Sequence, residues 1–192
     1  MTKEVNVKDL DIQVFFKPMI EVGGDIYDIY ILKENRIRVF IADATGHGVQ
    51  AALTTMLIKS EYDKIKIIPG NPNEVLKYFN NIFIKSYFNL TVFFTCAIID
   101  IYLDKKEIAF SSGGHPPQYI FSNNELISLE TCGKMIGISD NEDFILKTVP
   151  FNINDKIFLF TDGLFEEFSE DEEELGEEGL KKIITSLEYD NM

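Results

Sequence analysis

Two helical patterns stand side by side between groups of strand-like runs, and this order is the strongest constraint on the fold. HGVQAALTTMLIKSEYDKI (47–65) sets Ala51, Leu53, Met56, Leu57 and Ile65 along an apolar face. NPNEVLKYFNNIFIKSYF (71–88) opens on Asn71 with Pro72 directly behind it, a pairing that favours a helix start. Before these helices come DIQVFF (11–16), DIYDIYILK (25–33) and RIRVFIAD (36–43), the last two joined by a turn at Glu34-Asn35. After them come TVFFTCAIIDIYL (91–103), EIAFSSGG (107–114), QYIFS (118–122), ELISL (125–129), DFILKTVP (143–150) and KIFLFTD (156–162). Each is an alternating or continuous apolar run of strand length. EEGLKKIITSL (177–187) is a third helical pattern. The strand–helix–strand alternation that a doubly wound parallel sheet requires is missing, so the order predicts an α+β architecture of largely antiparallel sheets. No internal repeat or low-complexity linker divides the 192 residues, and a single domain over residues 1–192 is expected.

Charge narrows the function. A net charge of −14 and a pI near 4.5 argue against nucleic acid or an anionic membrane as partner. The acidic run EEFSEDEEELGEE (166–178) reads as a solvated loop and helix start. No long apolar run marks a membrane span, and the cytoplasm is the expected compartment. Cys96 and Cys132 have no metal-ligand spacing and can be two buried thiols.

Three segments share one design, in which an apolar strand meets an aspartate beside glycine: EVGGDIYD with Asp25, FIADATGHG with Asp43, and FLFTDGLFE with Asp162. An aspartate next to glycine is most often a turn. Recurrence in the same strand context instead suggests carboxylates gathered at one rim, an all-oxygen site for a hard divalent ion such as Mg2+ or Mn2+. Gly23, Gly24 and Gly163 would let the backbone approach an ion, its waters or a phosphoryl oxygen. Gly46 and Gly48 form the tight turn that starts the first helix.

VGGDIYD, FIADATGHGVQAAL, FFTCAIID, SSGGHPPQYI and FLFTDGLFEE occur in the order and approximate spacing of SpoIIE/RsbU-type phosphatase domains, the bacterial branch of the metal-dependent type 2C (PPM) serine/threonine phosphatases. The resemblance runs from about Asp11 to Leu187. It implies two packed, mainly antiparallel sheets flanked by helices, an α/β/β/α sandwich. It also implies hydrolysis of phosphoserine or phosphothreonine on a protein by a water held between two Mn2+ or Mg2+ ions. Residue by residue, Asp25 matches the first metal-binding aspartate and Asp43 the aspartate that bridges the ions and activates the water. The Ala44 carbonyl matches the backbone ligand beside it, and Asp162 matches the TDG aspartate on the other ion. The implied substrate is a phosphorylated anti-sigma-factor antagonist or similar STAS-domain protein in a partner-switching pathway.

The chain departs from the family at its end, where a further acidic pair and a terminal strand are usual. Asp190-Asn191-Met192 resembles the start of that motif, but the interval from Asp162 is short. Asp190 therefore reads as a loop residue, with the C-terminal acidic motif and last strand expected to be missing. The alternative is a non-catalytic, degenerate phosphatase-fold binding module. A nucleotide hydrolase ranks last, because no G-x-x-x-x-G-K segment is present. His47, at the helix start, either organises the turn or serves as a proton donor. The general-acid histidine proposed in animal relatives follows the bridging aspartate by two positions, so His47 is not its counterpart. His115 in GGHPP reads as a turn residue hydrogen-bonding near the site, stiffened by the two prolines. Asp28 is expected on the opposite strand face and Thr161 behind the TDG aspartate. Thr95 is expected to pack or hydrogen-bond within its strand, Asp100 and Asp104 to be turn or strand-end residues, and Glu166 to be solvated.

Overall fold

The computed structural model describes residues 2–7, 10–16, 23–33, 35–46, 48–168 and 173–186. Strands β1 (Thr2–Val7) and β2 (Leu10–Phe15) pair with each other. A five-stranded antiparallel sheet has the order β3-β4-β5-β6-β9, built from Asp25–Lys33, Arg36–Ala44, Phe94–Tyr102, Glu107–Gly113 and Lys147–Pro150. A three-stranded sheet has the order β10-β7-β8, from Lys156–Phe158, Gln118–Ser122 and Glu125–Leu129. Helices α1 (Gly48–Ile65) and α2 (Pro72–Tyr87) follow β4, and α3 (Gly176–Ser186) follows β10.

Strand parity sorts the side chains into layers, because successive residues face opposite sides. Phe40, Ala42, Ala44, Phe94, Cys96 and Ile98 pack with α1 and α2. Their odd-numbered neighbours Ile41, Ala97, Ile99 and Ile101 pack with Ile120 and Leu129 of the second sheet. Tyr119 and Phe160 meet Leu180 and Ile184 of α3 on the outside of that sheet. The layers are thus helices, five-stranded sheet, three-stranded sheet, helix, the expected α+β sandwich. Phe79 of α2 centres an aromatic cluster, with Phe83 and Phe94 rings at 5.2 and 5.4 Å, both edge-on, a favoured quadrupole geometry.

Two guanidiniums anchor the α1–α2 connection. Arg38 and Asp100 are cross-strand partners, both fully buried. Asp100 accepts from Arg38 Nε at 2.7 Å, from Arg38 Nη2 at 2.8 Å and from Arg36 Nη2 at 2.6 Å. Further donors go to main-chain oxygens, Arg38 to Ile68 at 2.9 Å and Gly70 at 2.7 Å, and Arg36 to Pro69 at 2.8 Å, while Arg36 Nε is buried without a hydrogen-bond partner. Asp100 is therefore no turn residue; burial of a carboxylate inside β5 is tolerated because paired donors saturate it. Asp104 does sit in a turn, accepting the Lys105 N–H at 3.0 Å.

Several boundaries differ from the sequence reading. Strand β1 was not expected, since TKEVNV offers only two apolar residues. The run from Thr91 starts as strand only at Phe94, because Thr91 caps a 3-10 turn with φ of 52°. Residues 143–146 are irregular, with Phe144 buried against the helix-side core. On α1, Leu53 and Met56 are 63% and 66% exposed. The buried stripe is instead Ala51, Thr54, Ile58, Glu61, Tyr62 and Ile65, rotated from the expected face. Glu61 tolerates this position because Tyr87 Oη and Lys64 Nζ donate to it at 2.6 and 2.7 Å. Both cysteines are free, but Cys132 is exposed rather than buried. No described helix is long and apolar enough to cross a membrane.

Candidate metal centre

Asp25 and Asp43 are direct partners across the β3–β4 ladder, and Asp43 is in turn the partner of Thr95 on β5. Directly opposed residues share a face. The three side chains thus form a row at one end of the face turned toward the second sheet. Asp28, of opposite parity, faces α1 and accepts from Lys59 at 2.9 Å and Lys66 at 3.2 Å.

The start of β3 lies close against the end of β4. Ala44 N–H donates to the Gly24 carbonyl at 3.0 Å. A Cβ on Gly24 would lie 2.9 Å from the Ala44 carbonyl oxygen and 3.0 Å from Asp43 Oδ1, inside ordinary contact distance. Only glycine lets this turn approach the carboxylate so closely. Thr55 of α1 braces the turn: its hydroxyl oxygen lies 3.1 and 3.0 Å from the Gly23 and Gly24 carbonyls and 2.9 Å from that of Ala51. Beyond Asp43 the chain turns through Gly46 (φ 98°) and Gly48 (φ 67°) into α1, conformations that disfavour side chains. His47 and Asp190 lie outside the described residues.

Asp162 arrives from the second sheet. It opens a 3-10 turn (Asp162–Leu164) rather than ending a strand, and its carbonyl accepts the Phe165 and Glu166 N–H groups at 2.9 and 3.0 Å. Thr161, immediately before it, lies close enough to Asp25 for its hydroxyl to favour the ionised carboxylate. A Cβ on Gly163 would meet nothing within 4 Å, so no steric demand fixes glycine there.

The convergence shows in the proton affinities. The Asp43 carboxyl is pushed up to about 7, first by burial, then by the negative charges of Asp162, Asp25 and Glu166. The proximity of the two carboxyls raises Asp43 further and lowers Asp25. Asp25 is also raised, chiefly by burial; Thr161 opposes the shift, and Asp162 adds to it. Half-buried carboxylates of one sign, holding a proton near neutrality, are a ready cation site. Among the described residues no three His, Cys, Asp or Glu side chains converge tightly enough to hold one ion. Mg2+ is often bound by one or two carboxylates with its remaining positions filled by water, so the oxygen donors present fit that chemistry.

His115 is buried, with Nδ1 2.9 Å from Thr95 Oγ1 and Nε2 3.2 Å from the Phe160 carbonyl oxygen. A carbonyl can only accept, so Nε2 carries the hydrogen and Nδ1 accepts from the Thr95 hydroxyl. Burial lowers its pKa to about 4, keeping it neutral. Gln118 holds Phe160 from the same side: its Oε1 accepts the Phe160 N–H at 2.7 Å and its Nε2 donates to the Phe160 carbonyl at 3.0 Å. The sequence reading missed Thr55 and Gln118. The available signal for Gln118 was its place after two prolines, which cannot donate to a ladder.

The fold is that of type 2C phosphatases. The structure resembles the SiaA-PP2C domain of Pseudomonas aeruginosa with a TM-score of 0.78 at 23% identity, over 89% of this chain and 69% of that one. It also resembles the PP2C phosphatase domain of SpoIIE from Bacillus subtilis, with a TM-score of 0.67 at 22% identity, over 76% of this chain and 42% of that one. Residues 33–191 match the family described as Stage II sporulation protein E (SpoIIE), and the chain belongs to that family. Among curated relatives, phosphoserine phosphatase RsbU of Bacillus subtilis (strain 168) is 31% identical over 167 residues, covering 86% of this chain and 49% of RsbU. Phosphoserine phosphatase RsbP of the same organism is 23% identical over 203 residues, covering 98% of this chain and 50% of RsbP. The chain spans about half the length of these two relatives.

Proposed function

We propose that the chain is a metal-dependent protein serine/threonine phosphatase domain acting on a phosphoserine or phosphothreonine of a regulatory protein. The observation that carries this reading is the pairing of Asp25 with Asp43 at the sheet rim, with Asp162 near enough for its charge to add to the burial that raises the Asp43 carboxyl. In this reading Asp43, Asp25, the Ala44 carbonyl and Asp162 would together hold two Mn2+ or Mg2+ ions, with Asp43 as the shared carboxylate. Bound ions would lower the pKa of an attacking water and neutralise phosphoryl oxygens. The Thr161 hydroxyl favours the ionised form of Asp25. Gly23, Gly24 and Gly163 border the space left for phosphate. His115 has both ring nitrogens engaged and is buried, which favours positioning over proton transfer.

The names of RsbU and RsbP support a phosphoserine substrate, and we infer a STAS-type anti-sigma-factor antagonist in the cytoplasm. The test is Mn2+-dependent phosphate release from such a phosphoserine protein, compared with Asp43→Asn and Asp162→Asn. Both variants should lose activity while folding normally; normal turnover in both would refute the reading. The second reading, a non-catalytic binding module, draws on the lack of a three-ligand cluster among the described residues. Calorimetric titration with Mn2+ separates the two, since saturable binding favours the enzyme and none favours the module.

A further inference from the structure

The rim divides between two sheets. Asp25 and Asp43 belong to the five-stranded sheet, whereas Asp162 follows β10 of the three-stranded sheet. A site shared in this way works only if something sets the distance between the sheets at that end.

The β10–β7 ladder pairs Ile157 with Ile120 and Phe158 with Tyr119. The same register carried on would set Phe160 opposite Pro117, which has no N–H to donate. The ladder accordingly ends at Phe158, two residues before Phe160 and four before Asp162. Side chains hold the strand's continuation instead. The Gln118 carboxamide takes both main-chain groups of Phe160, at 2.7 and 3.0 Å, as a neighbouring strand would. The Phe160 carbonyl uses its second lone pair for His115 Nε2 at 3.2 Å. The other face of that imidazole reaches back at 2.9 Å to Thr95, the cross-strand neighbour of Asp43. A continuous path therefore runs from the Asp43 pair through Thr95 and the buried His115 and Phe160 to the segment bearing Asp162.

Resting on the metal-centre reading above, we propose that His115, seated by Thr95 and supported by Gln118, is a positioning residue that fixes the separation of Asp162 from Asp43. Its role is to hold the two halves of the rim at the spacing a divalent ion needs. Partners that orient metal ligands typically change affinity by about 10- to 100-fold when removed.

The experiment is calorimetric titration of the whole chain with Mn2+, alongside thermal melting. Thr95→Val removes the hydroxyl donor to His115 while keeping a β-branched strand residue, and about tenfold weaker Mn2+ binding is expected. Thr95→Ser restores the donor and should bind within about twofold of wild type. Gln118→Glu keeps the acceptor for the Phe160 N–H but loses the donor to its carbonyl, and should weaken binding in the same direction. Ile184→Val in α3, a destabilising change remote from the rim, should lower the melting temperature without altering Mn2+ affinity. Unchanged affinity in folded Thr95→Val and Gln118→Glu overturns the positioning role and leaves the metal reading intact. A parallel loss of affinity in Ile184→Val also overturns it, because general loosening would then be the cause. No Mn2+ binding by the wild-type chain overturns the metal reading itself, and this inference with it.

Discussion

Replacing Asp43 with Asn should stabilise the metal-free protein while abolishing metal-dependent activity. Folding moves the Asp43 carboxyl from 3.8 to about 7, roughly three units, and each unit corresponds to about 1.4 kcal/mol. The ceiling is therefore about 4 kcal/mol. Asp43 is only half-buried, and solvent screening reduces a realistic figure to about 1–2 kcal/mol. The cost has a defined pH window. Below pH 3.8 the carboxyl is protonated in both folded and unfolded chains, and no penalty exists. As pH rises toward 7 the unfolded chain releases a proton that the folded one keeps, so stability falls. Above about 7 the full penalty applies. Asn removes the charge while keeping the shape of the side chain. At roughly 2–4 °C per kcal/mol for a chain of this size, the variant should melt about 2–8 °C higher than wild type at pH 8 in chelator. At pH 4 the two should nearly coincide. Thermal unfolding followed by circular dichroism reads both values. If the Asn variant melts at or below wild type at pH 8 in chelator, the like-charge account of this rim is wrong.

Three further outcomes follow from packing. Gly24→Ala must move the Ala44 carbonyl or Asp43, at about 1–3 kcal/mol for an overpacked site; Gly163→Ala meets no neighbour and should leave urea midpoints nearly unchanged. Arg38→Leu leaves Asp100 buried with Arg36 as its remaining partner, and chemical denaturation should show a loss of about 3–5 kcal/mol. On α1, Ile58→Ala should cost about 2–5 kcal/mol, whereas Leu53→Ser should stay within about 0.5 kcal/mol; equal losses would refute the buried stripe.

Most of the layer order could be read from the sequence because it depends on repeated, local signals. The β3–β4 hairpin shows alternating apolar residues and a short turn, and the adjacent helices exclude a parallel crossover. The face of α1 was misread for a physical reason. Leu53 and Met56 are more apolar than Thr54 and Glu61, yet burial follows where the neighbouring elements lie, and Tyr87 and Lys64 satisfy Glu61 there. Asp100 was misjudged in the same way, since only tertiary pairing with Arg36 and Arg38 makes a central-strand carboxylate tolerable. At the rim, the motifs singled out the aspartates. The cross-strand register that seats Asp25 against Asp43, and the proline-ended ladder that leaves Phe160 to Gln118 and His115, depend on strands distant in sequence.

The grip of Arg36 and Arg38 on the α1–α2 connection has a consequence for how this chain can vary. On that connection the guanidiniums recognise main-chain oxygens of residues 66–70 rather than side chains. Every amino acid supplies the same carbonyl, so these contacts do not themselves select side chains there; Lys66 and Ile68 are tied down separately, by Asp28 and by the helix-side core. The length of the loop cannot drift, because an inserted residue would displace the oxygens. Correlated substitution would therefore leave no trace of these carbonyl contacts; they should show instead as a loop intolerant of insertion.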